Sequence, residues 1–236
     1  MIVLAHRGNL HGPDPERENS PDSIGEAVAA GYGLETDVRF APGFGFYISH
    51  DANTPTPASA LEVHAEIWRR NPDCLVALNI KETGNEAQLL ERLNSLNVAR
   101  QVFLFDMELI EPHRGEMAAR FRGFDADIVI AARVSDRQEP VSGALGLDSA
   151  SAIWLDEFDG PWATRATVEE LVRAGRRVYA VSPDLHGMTP SQSIRRWHEF
   201  ASWGVTGICT DWPLLLSSEL GLDSPHKPLP GRSNAR

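Results

Sequence analysis

The chain opens Ile2-Val3-Leu4-Ala5-His6-Arg7-Gly8, continues through Glu18-Asn19-Ser20 and Gly33-Leu34-Glu35-Thr36-Asp37, and reaches Phe46-Tyr47-Ile48-Ser49-His50-Asp51. Most of these polar groups follow a short apolar run, and each contains a residue that can titrate or bind metal. In an α/β protein, groups of that kind just past strand ends form a catalytic rim. Two histidines with two carboxylates one residue apart are also a minimum set for metal-assisted acid–base chemistry. The alternative, four unrelated surface groups, sits poorly with their regular placement at strand ends.

Working outward, apolar runs recur at residues 74–80 (CLVALNI), 102–105 (VFLF), 128–132 (IVIAA), 152–155 (AIWL), 178–182 (VYAVS) and 207–210 (GICT). Their starts lie roughly 25 to 30 residues apart, about one βα unit. Between them, residues 23–30, 60–69, 86–96, 167–174 and 193–203 place leucines, alanines and aromatics at three- and four-residue steps, the helical period. Near-continuous apolar strands alternating with amphipathic helices predict a parallel sheet covered by helices. Leu4, Glu35, Ile80, Phe105, Ile130, Trp154, Val181 and Cys209 mark eight strands, the closure number of a TIM barrel. An open doubly wound sheet is the competitor, but Gly8-Asn9-Leu10-His11-Gly12 is not its phosphate-binding fingerprint. The reading is therefore an α/β fold, a single (β/α)8 barrel over residues 1–221. Ala41-Pro42-Gly43 predicts a turn after strand 2, and residues 44–49 return as a β extension carrying His50. Residues 222–236, rich in Pro, Gly and Ser, are expected to form a flexible tail.

Composition narrows the partners. The 236 residues are 42% hydrophobic and 23% charged, with a formal net charge of −11. That acidity argues against a nucleic-acid backbone or an anionic membrane as principal partner. No run approaches transmembrane length and no signal peptide is evident, so a cytoplasmic location is expected. Cys74 and Cys209 lie inside apolar runs and are expected to be buried free thiols. The sequence does not set the oligomeric state.

Polar residues stand at or just past nearly every strand end: His6 and Arg7, Glu35 and Asp37, Asn79 and Lys81, Asp106, Arg133 and Ser135, Asp156, Ser182 and Asp184, and Asp211. In a closed barrel they converge on one face. Glu35 and Asp37 share a strand face because side chains alternate with period two. Two adjacent carboxylates suit a hard divalent ion, Mg²⁺ or Ca²⁺. Arg7 offers a fork for phosphate, with Lys81 as a second positive charge. His6 and His50 are the candidate proton carriers, one for the nucleophile and one for the leaving oxygen. His11 and His186 lie in rim loops where each could meet a substrate. His64 and His198 fall in helices as surface or packing residues. Phe105, Trp154, Phe158, Trp162 and Trp212 are expected to pack the core or rim, with one or two walling the organic part of a substrate.

These motifs resemble the glycerophosphodiester phosphodiesterase family, within the phosphatidylinositol-phospholipase-C-like barrels: H-R-G after strand 1, E-N-S in the next loop, E-x-D on strand 2 and H-D beyond it. The motifs cover residues 6–51, and the strand rhythm extends the likeness to about Asp211. The resemblance implies a metal-dependent phosphoric diester hydrolase of lipid metabolism acting on a small soluble phosphodiester. It implies His6 and His50 as the acid/base pair, Glu35 and Asp37 as ligands of a Mg²⁺ or Ca²⁺ ion, Glu18 near the metal or the substrate, and Arg7 on the phosphate. Lys81 matches the lysine of the family's E-x-K motif, whose glutamate is here Asn79; an amide oxygen can ligate the ion but brings no charge. Arg133 and Asp156, in Arg133-x-Ser135 and Trp154-x-Asp156, stand as further substrate-binding candidates of a divergent branch. Two other functions remain open at this point: a lyase releasing a cyclic phosphate, and a non-catalytic barrel that binds a phosphorylated ligand.

Overall fold

The computed structural model describes residues 1–222. Eight parallel strands form its centre: β1 (Ile2–His6), β2 (Gly33–Ala41), β4 (Val76–Ile80), β5 (Val102–Phe105), β6 (Val129–Val134), β7 (Ala152–Leu155), β8 (Arg177–Val181) and β9 (Gly207–Thr210). β1 pairs with both β2 and β9, which closes the sheet into a barrel. Every strand marker read from the sequence falls on its strand. The additional strand β3 (Gly45–Ile48) pairs antiparallel with the end of β2, with Val38 opposite Ile48, and His50 follows it by two residues.

Helices α1 (Pro21–Ala29), α2 (Leu61–Trp68), α3 (Glu86–Ser95), α6 (Arg165–Arg173) and α7 (Pro190–Trp203) occupy the segments with helical period. α4 (Glu116–Phe124), α5 (Val141–Leu145) and α8 (Pro213–Glu219) complete the outer ring and lie outside the segments that sequence periodicity selected. α5 is one short turn and a half between Pro140 and Gly146, and α4 buries only Met117, Ala118 and Phe121, so neither carries a full amphipathic stripe. The tail expected to be flexible falls, beyond Leu222, outside the described residues.

Two apolar layers hold the fold. The outer one lies between strands and helices, with Ile24, Leu34, Trp68, Leu78, Phe121, Trp197 and Phe200 fully enclosed. The inner one fills the barrel, where Phe103 stacks on Tyr179 with ring centroids 4.6 Å apart and Phe105 meets Trp154 at 4.1 Å. Alanines 77, 131 and 152 face the same interior and leave room for those rings. Each large side chain so enclosed contributes about 1.5–3 kcal/mol. At the β1–β2 seam Gly33 stands opposite Leu4; a Cβ there would lie 2.7 Å from Leu4 Cδ2 and 2.9 Å from the Leu75 carbonyl, so only glycine lets the strands close. Cys74 and Cys209 are buried free thiols. Among the described residues no helix is long and apolar enough to cross a membrane.

Candidate active site

The turn after β1 sets the first half of the site. Arg7 and Gly8 both adopt positive φ, 50° and 82°, so the chain reverses sharply past His6. A Cβ on Gly8 would lie 2.9 Å from the Ile24 amide nitrogen, because this turn presses on the start of α1. Four non-glycine residues among those described take positive φ, and three of them, Arg7, Asn19 and Asp106, belong to the cavity or its direct supports. Strained backbone of this kind persists where surrounding structure over-determines it, as functional sites do.

His6 reaches across the barrel seam to Asp211, with Nδ1 and Oδ1 2.7 Å apart. Asp211 Oδ1 also accepts from Asn9 Nδ2 at 2.8 Å, and the Asp211 amide donates to Asp184. A carboxylate at Nδ1 fixes the proton there and leaves Nε2 as the lone-pair nitrogen. Nε2 stands 3.8 Å from Glu35 Oε2. Burial alone would lower the His6 pKa, but Asp211 and Glu35 outweigh it and hold the imidazole above its ordinary value.

Glu35 and Asp37 face the barrel mouth as their spacing predicts, and their environments differ. Asp37 is 2.9 Å from Lys81 Nζ and 3.4 Å from Arg7 Nε, and its Oδ2 accepts from Asn19 Nδ2 at 3.0 Å. Burial opposes ionisation of Asp37, yet Lys81 and Arg7 win and hold its pKa below the usual carboxylate value. Glu35 is paired more loosely, with His6 at 3.8 Å: burial, then repulsion by Asp37, outweigh His6, Arg7 and Lys81 and push it up to about 7. Asn79, beside Asp37 in the β2–β4 register, donates through Nδ2 to Asp106 Oδ2 at 3.0 Å.

Glu35 Oε2 and Asn79 Oδ1 are buried with no hydrogen-bond partner among the described residues. Oxygens without donors, next to a second carboxylate, are the donor set a hard cation takes, and a nearby cation would draw Glu35 back to its ionised form. Glu35, Asp37 and Asn79 therefore fit such an ion. Glu18 does not join them, because Oε2 accepts from Arg7 at 2.8 Å and Oε1 from Asn9 at 3.3 Å. Among the described residues no group of three or more His, Cys, Asp or Glu is placed to hold a metal, so an ion here would need the amide of Asn79.

Across the mouth runs a buried chain of charge. Arg133, 2% exposed, bonds Asp106 Oδ1 through one terminal nitrogen and Asp156 Oδ2 through the other, the latter at 2.5 Å. Asp156 Oδ1 then meets His186 Nε2 at 2.5 Å and accepts from the Glu157 amide. Arg133 and Asp156, singled out from the sequence as substrate-binding candidates, line the cavity, but their hydrogen-bonding ends are already engaged with each other and with these neighbours. His50 also lines the cavity; its side chain is 45% exposed, with Nδ1 2.8 Å from Asp51 Oδ1. His11 and His198 are exposed, and His64 is fully buried in α2.

His6, Arg7, Glu35, Asp37, His50, Asn79, Lys81, Asp106, Arg133, Asp156 and His186 border one open cavity of about 350 Å³ at the C-terminal ends of the strands, walled by Phe105, Trp154, Phe158 and Leu109, whereas Glu18 and Asp211 stand behind its lining. Trp162 and Trp212 stand outside it: Trp162 Nε1 donates to the Asp156 carbonyl, and Trp212 packs where a Cβ on Gly12 would fall. Two residues carry more than the sequence showed. Asp211 was visible as a strand-end carboxylate, but its pairing with His6 needed the closed barrel; His186 was visible as a rim histidine, without its carboxylate partner.

Fold and rim together define a (β/α)8 barrel with a charged, histidine-bearing cavity where barrel enzymes carry their chemistry. No protein-family model and no curated protein sequence matches the chain. Solved structures do. A glycerophosphoryl diester phosphodiesterase from Parabacteroides distasonis superposes with a TM-score of 0.66 at 17% identity, covering 93% of this chain and 86% of that one. A phosphodiesterase from Oleispira antarctica, in complex with its product sn-glycerol-3-phosphate, gives 0.66 at 16% identity, covering 94% and 97%. A mutant tryptophan synthase α-subunit from Pyrococcus furiosus gives 0.57 at 13% identity, covering 94% and 98%. At such identities the likeness establishes the (β/α)8 barrel fold alone, and function has to be argued from the site.

Proposed function

We propose that this protein is a divalent-metal-dependent phosphodiesterase that hydrolyses a small, soluble, glycerophosphodiester-like substrate. The observation that carries the reading is the His6–Asp211 pair: a carboxylate-backed imidazole opens its free nitrogen into the cavity that also holds Arg7, Lys81 and His50. The names and shared fold of the two phosphodiesterase structures support it.

In this reading Arg7 and Lys81, which flank Asp37 on the cavity floor, attract and orient the phosphoryl oxygens. His6 Nε2 takes the proton of an attacking water or substrate hydroxyl, and Asp211 stabilises the imidazolium that forms. His50, on the solvent side of the mouth, protonates the departing alcohol. Glu35, Asp37 and the Asn79 amide would hold the Mg²⁺ or Ca²⁺ ion, which when bound supplies Lewis-acid neutralisation of the phosphoryl charge. The aromatic wall of Phe105, Trp154 and Phe158 borders the organic part of the substrate.

The test is hydrolysis of a panel of glycerophosphodiesters with Mg²⁺, Ca²⁺ and chelator. Activity in the unmodified protein that disappears in both His6→Ala and His50→Ala is the expected result. Full activity in either variant overturns the role given to that histidine, and no hydrolysis by the unmodified protein overturns the reading itself.

A further inference from the structure

A second pocket of about 120 Å³ adjoins the main cavity, and the two share Phe158 and His186 as walls. Its other boundaries include Pro161, Pro183 and Met188. His186 is the polar group at this junction. Its Nε2 is held 2.5 Å from Asp156 Oδ1, and Asp156 is itself pinned by Arg133 and the Glu157 amide. With a carboxylate at Nε2 the proton sits on that nitrogen, so Nδ1 carries the lone pair. Nδ1 has no hydrogen-bond partner among the described residues, and the side chain is 21% exposed. The ring packs against Phe158 with centroids 4.9 Å apart, which fixes its orientation.

The charges around the second pocket disfavour one kind of occupant. Glu157 is locked to Arg196, with Nε 2.8 Å from Oε2, and its other oxygen accepts from the amides of Trp162 and Ala163. Asp159 lies 3.4 Å from Arg137. The Phe158 ring already bears the Arg133 and Arg137 guanidiniums at 4.6 and 4.1 Å from its centroid. The pocket's buried carboxylate, Glu157, is thus fully engaged and its aromatic ring already faces two cations, which disfavours a quaternary ammonium or amine there.

From this geometry we infer that the second pocket is the subsite for one alcohol moiety of the substrate, an uncharged hydroxylated one, and that His186 is a specificity-determining residue whose Nδ1 accepts a hydrogen bond from its hydroxyl. The inference rests on the phosphodiesterase reading for the substrate class, but its binding test does not depend on turnover. A hydrophobic pocket distinguishes a hydroxyl from a methyl poorly, whereas a fixed acceptor rewards the hydroxyl and leaves the analogue without it unpaired.

The test uses calorimetric titration of bis(glyceryl) phosphate and of dipropyl phosphate into the full chain carrying His6→Ala, in Mg²⁺-containing buffer, so that binding is read without cleavage. Adding His186→Ala should weaken bis(glyceryl) phosphate about tenfold, the value of one good hydrogen bond, and leave dipropyl phosphate within about twofold. Met188→Trp, which fills the pocket from another wall, should weaken both diesters while preserving the His186–Asp156 bond. In the His6→Ala chain, bis(glyceryl) phosphate should also shift the ¹⁵N resonance of His186 Nδ1, and dipropyl phosphate should not. Equal losses for the two diesters on His186→Ala, or an unmoved Nδ1 resonance, overturn the inference. Propyl choline phosphate binding more tightly than dipropyl phosphate overturns the assignment of an uncharged moiety. If the unmodified protein cleaves none of these diesters yet His186→Ala still weakens bis(glyceryl) phosphate about tenfold and spares dipropyl phosphate, the phosphodiesterase reading fails and the subsite stands.

Discussion

His6 Nδ1 and Asp211 Oδ1 lie 2.7 Å apart although they are 205 positions apart in the chain. The contact bridges the β1–β9 seam where the barrel closes, so the proposed base is assembled by the last strand docking on the first. Closure and chemistry therefore depend on one another: an open sheet of the same strands would leave His6 without its carboxylate.

Asp211→Asn tests that dependence. The amide keeps the size of the side chain but offers an NH₂ group or a neutral oxygen where His6 has a carboxylate, so the tautomer is no longer fixed and the imidazolium is no longer stabilised. On a glycerophosphodiester, kcat should fall about 10²-fold or more, with a smaller change in KM. Steady-state kinetics with both constants resolved checks this, and an unchanged kcat would contradict the role of Asp211.

Arg133→Met addresses the buried charge chain. Among the described residues the guanidinium is the one cation paired with both Asp106 and Asp156, and its removal leaves these two buried carboxylates without their shared partner. The expected loss is about 3–5 kcal/mol of stability, read as a lower urea midpoint at unchanged slope. Combining Arg133→Met with Asp106→Asn and Asp156→Asn should recover most of it, because the uncompensated charge is then gone. A single variant as stable as the parent would show that the network adds nothing.

The sequence exposed the barrel more fully than its wiring, for a physical reason. Strand rhythm and strand-end polarity are local, so all eight strands and the polar cavity residues from His6 to Asp156 could be read directly. Which charge meets which depends on contacts across the mouth. Arg133 has the same local signature as Arg7, yet Arg133 is clamped between two carboxylates and 2% exposed, whereas Arg7 stands on a turn bordering the open cavity. His64 gave a usable signal that a helix-level reading passed over: with Leu61, Ala65 and Trp68 it lies on the buried face of α2. Its Nε2 is 3.0 Å from the Asn19 carbonyl, and Asn19 in turn holds Asp37, so a helix outside the barrel braces the loop beneath the site.

His64 also gives a pH dependence with a definite sign. Burial pushes its pKa below the ordinary 6.5, so the folded protein keeps it neutral where the unfolded chain would already accept a proton. Its contribution to stability is fully present above pH 6.5 and is lost as the pH falls from there through the depressed folded value, at up to about 1.4 kcal/mol per pH unit. Glu35, raised to about 7, acts in the opposite direction: its contribution is present below its unfolded value and is lost as the pH rises through 7. The difference between the parent and His64→Gln isolates the histidine. Urea unfolding from pH 8 to pH 5 should show a shallower acid-side decline in the variant, and parallel curves would count against a neutral buried His64.

The amide at Asn79 sets the last prediction. Its Nδ2 is committed to Asp106, which leaves Oδ1 buried, unpartnered and beside Asp37. An amide oxygen contributes no charge, while Lys81 and Arg7 already neutralise much of Asp37, so the proposed ion faces a site weaker than three carboxylates would make. Mg²⁺ or Ca²⁺ should accordingly bind weakly and be stripped readily by chelator, with loss of hydrolysis that returns on adding the ion. Asn79→Asp adds the missing charge but turns a donor to Asp106 into a repelling neighbour. The two effects separate by measurement: metal affinity from calorimetry should rise about tenfold, while the urea midpoint should fall by an amount that Asp106→Asn restores. Affinity unchanged by the added carboxylate would place the ion away from Asn79, and binding as tight in Glu35→Ala as in the parent would remove it from this cavity altogether.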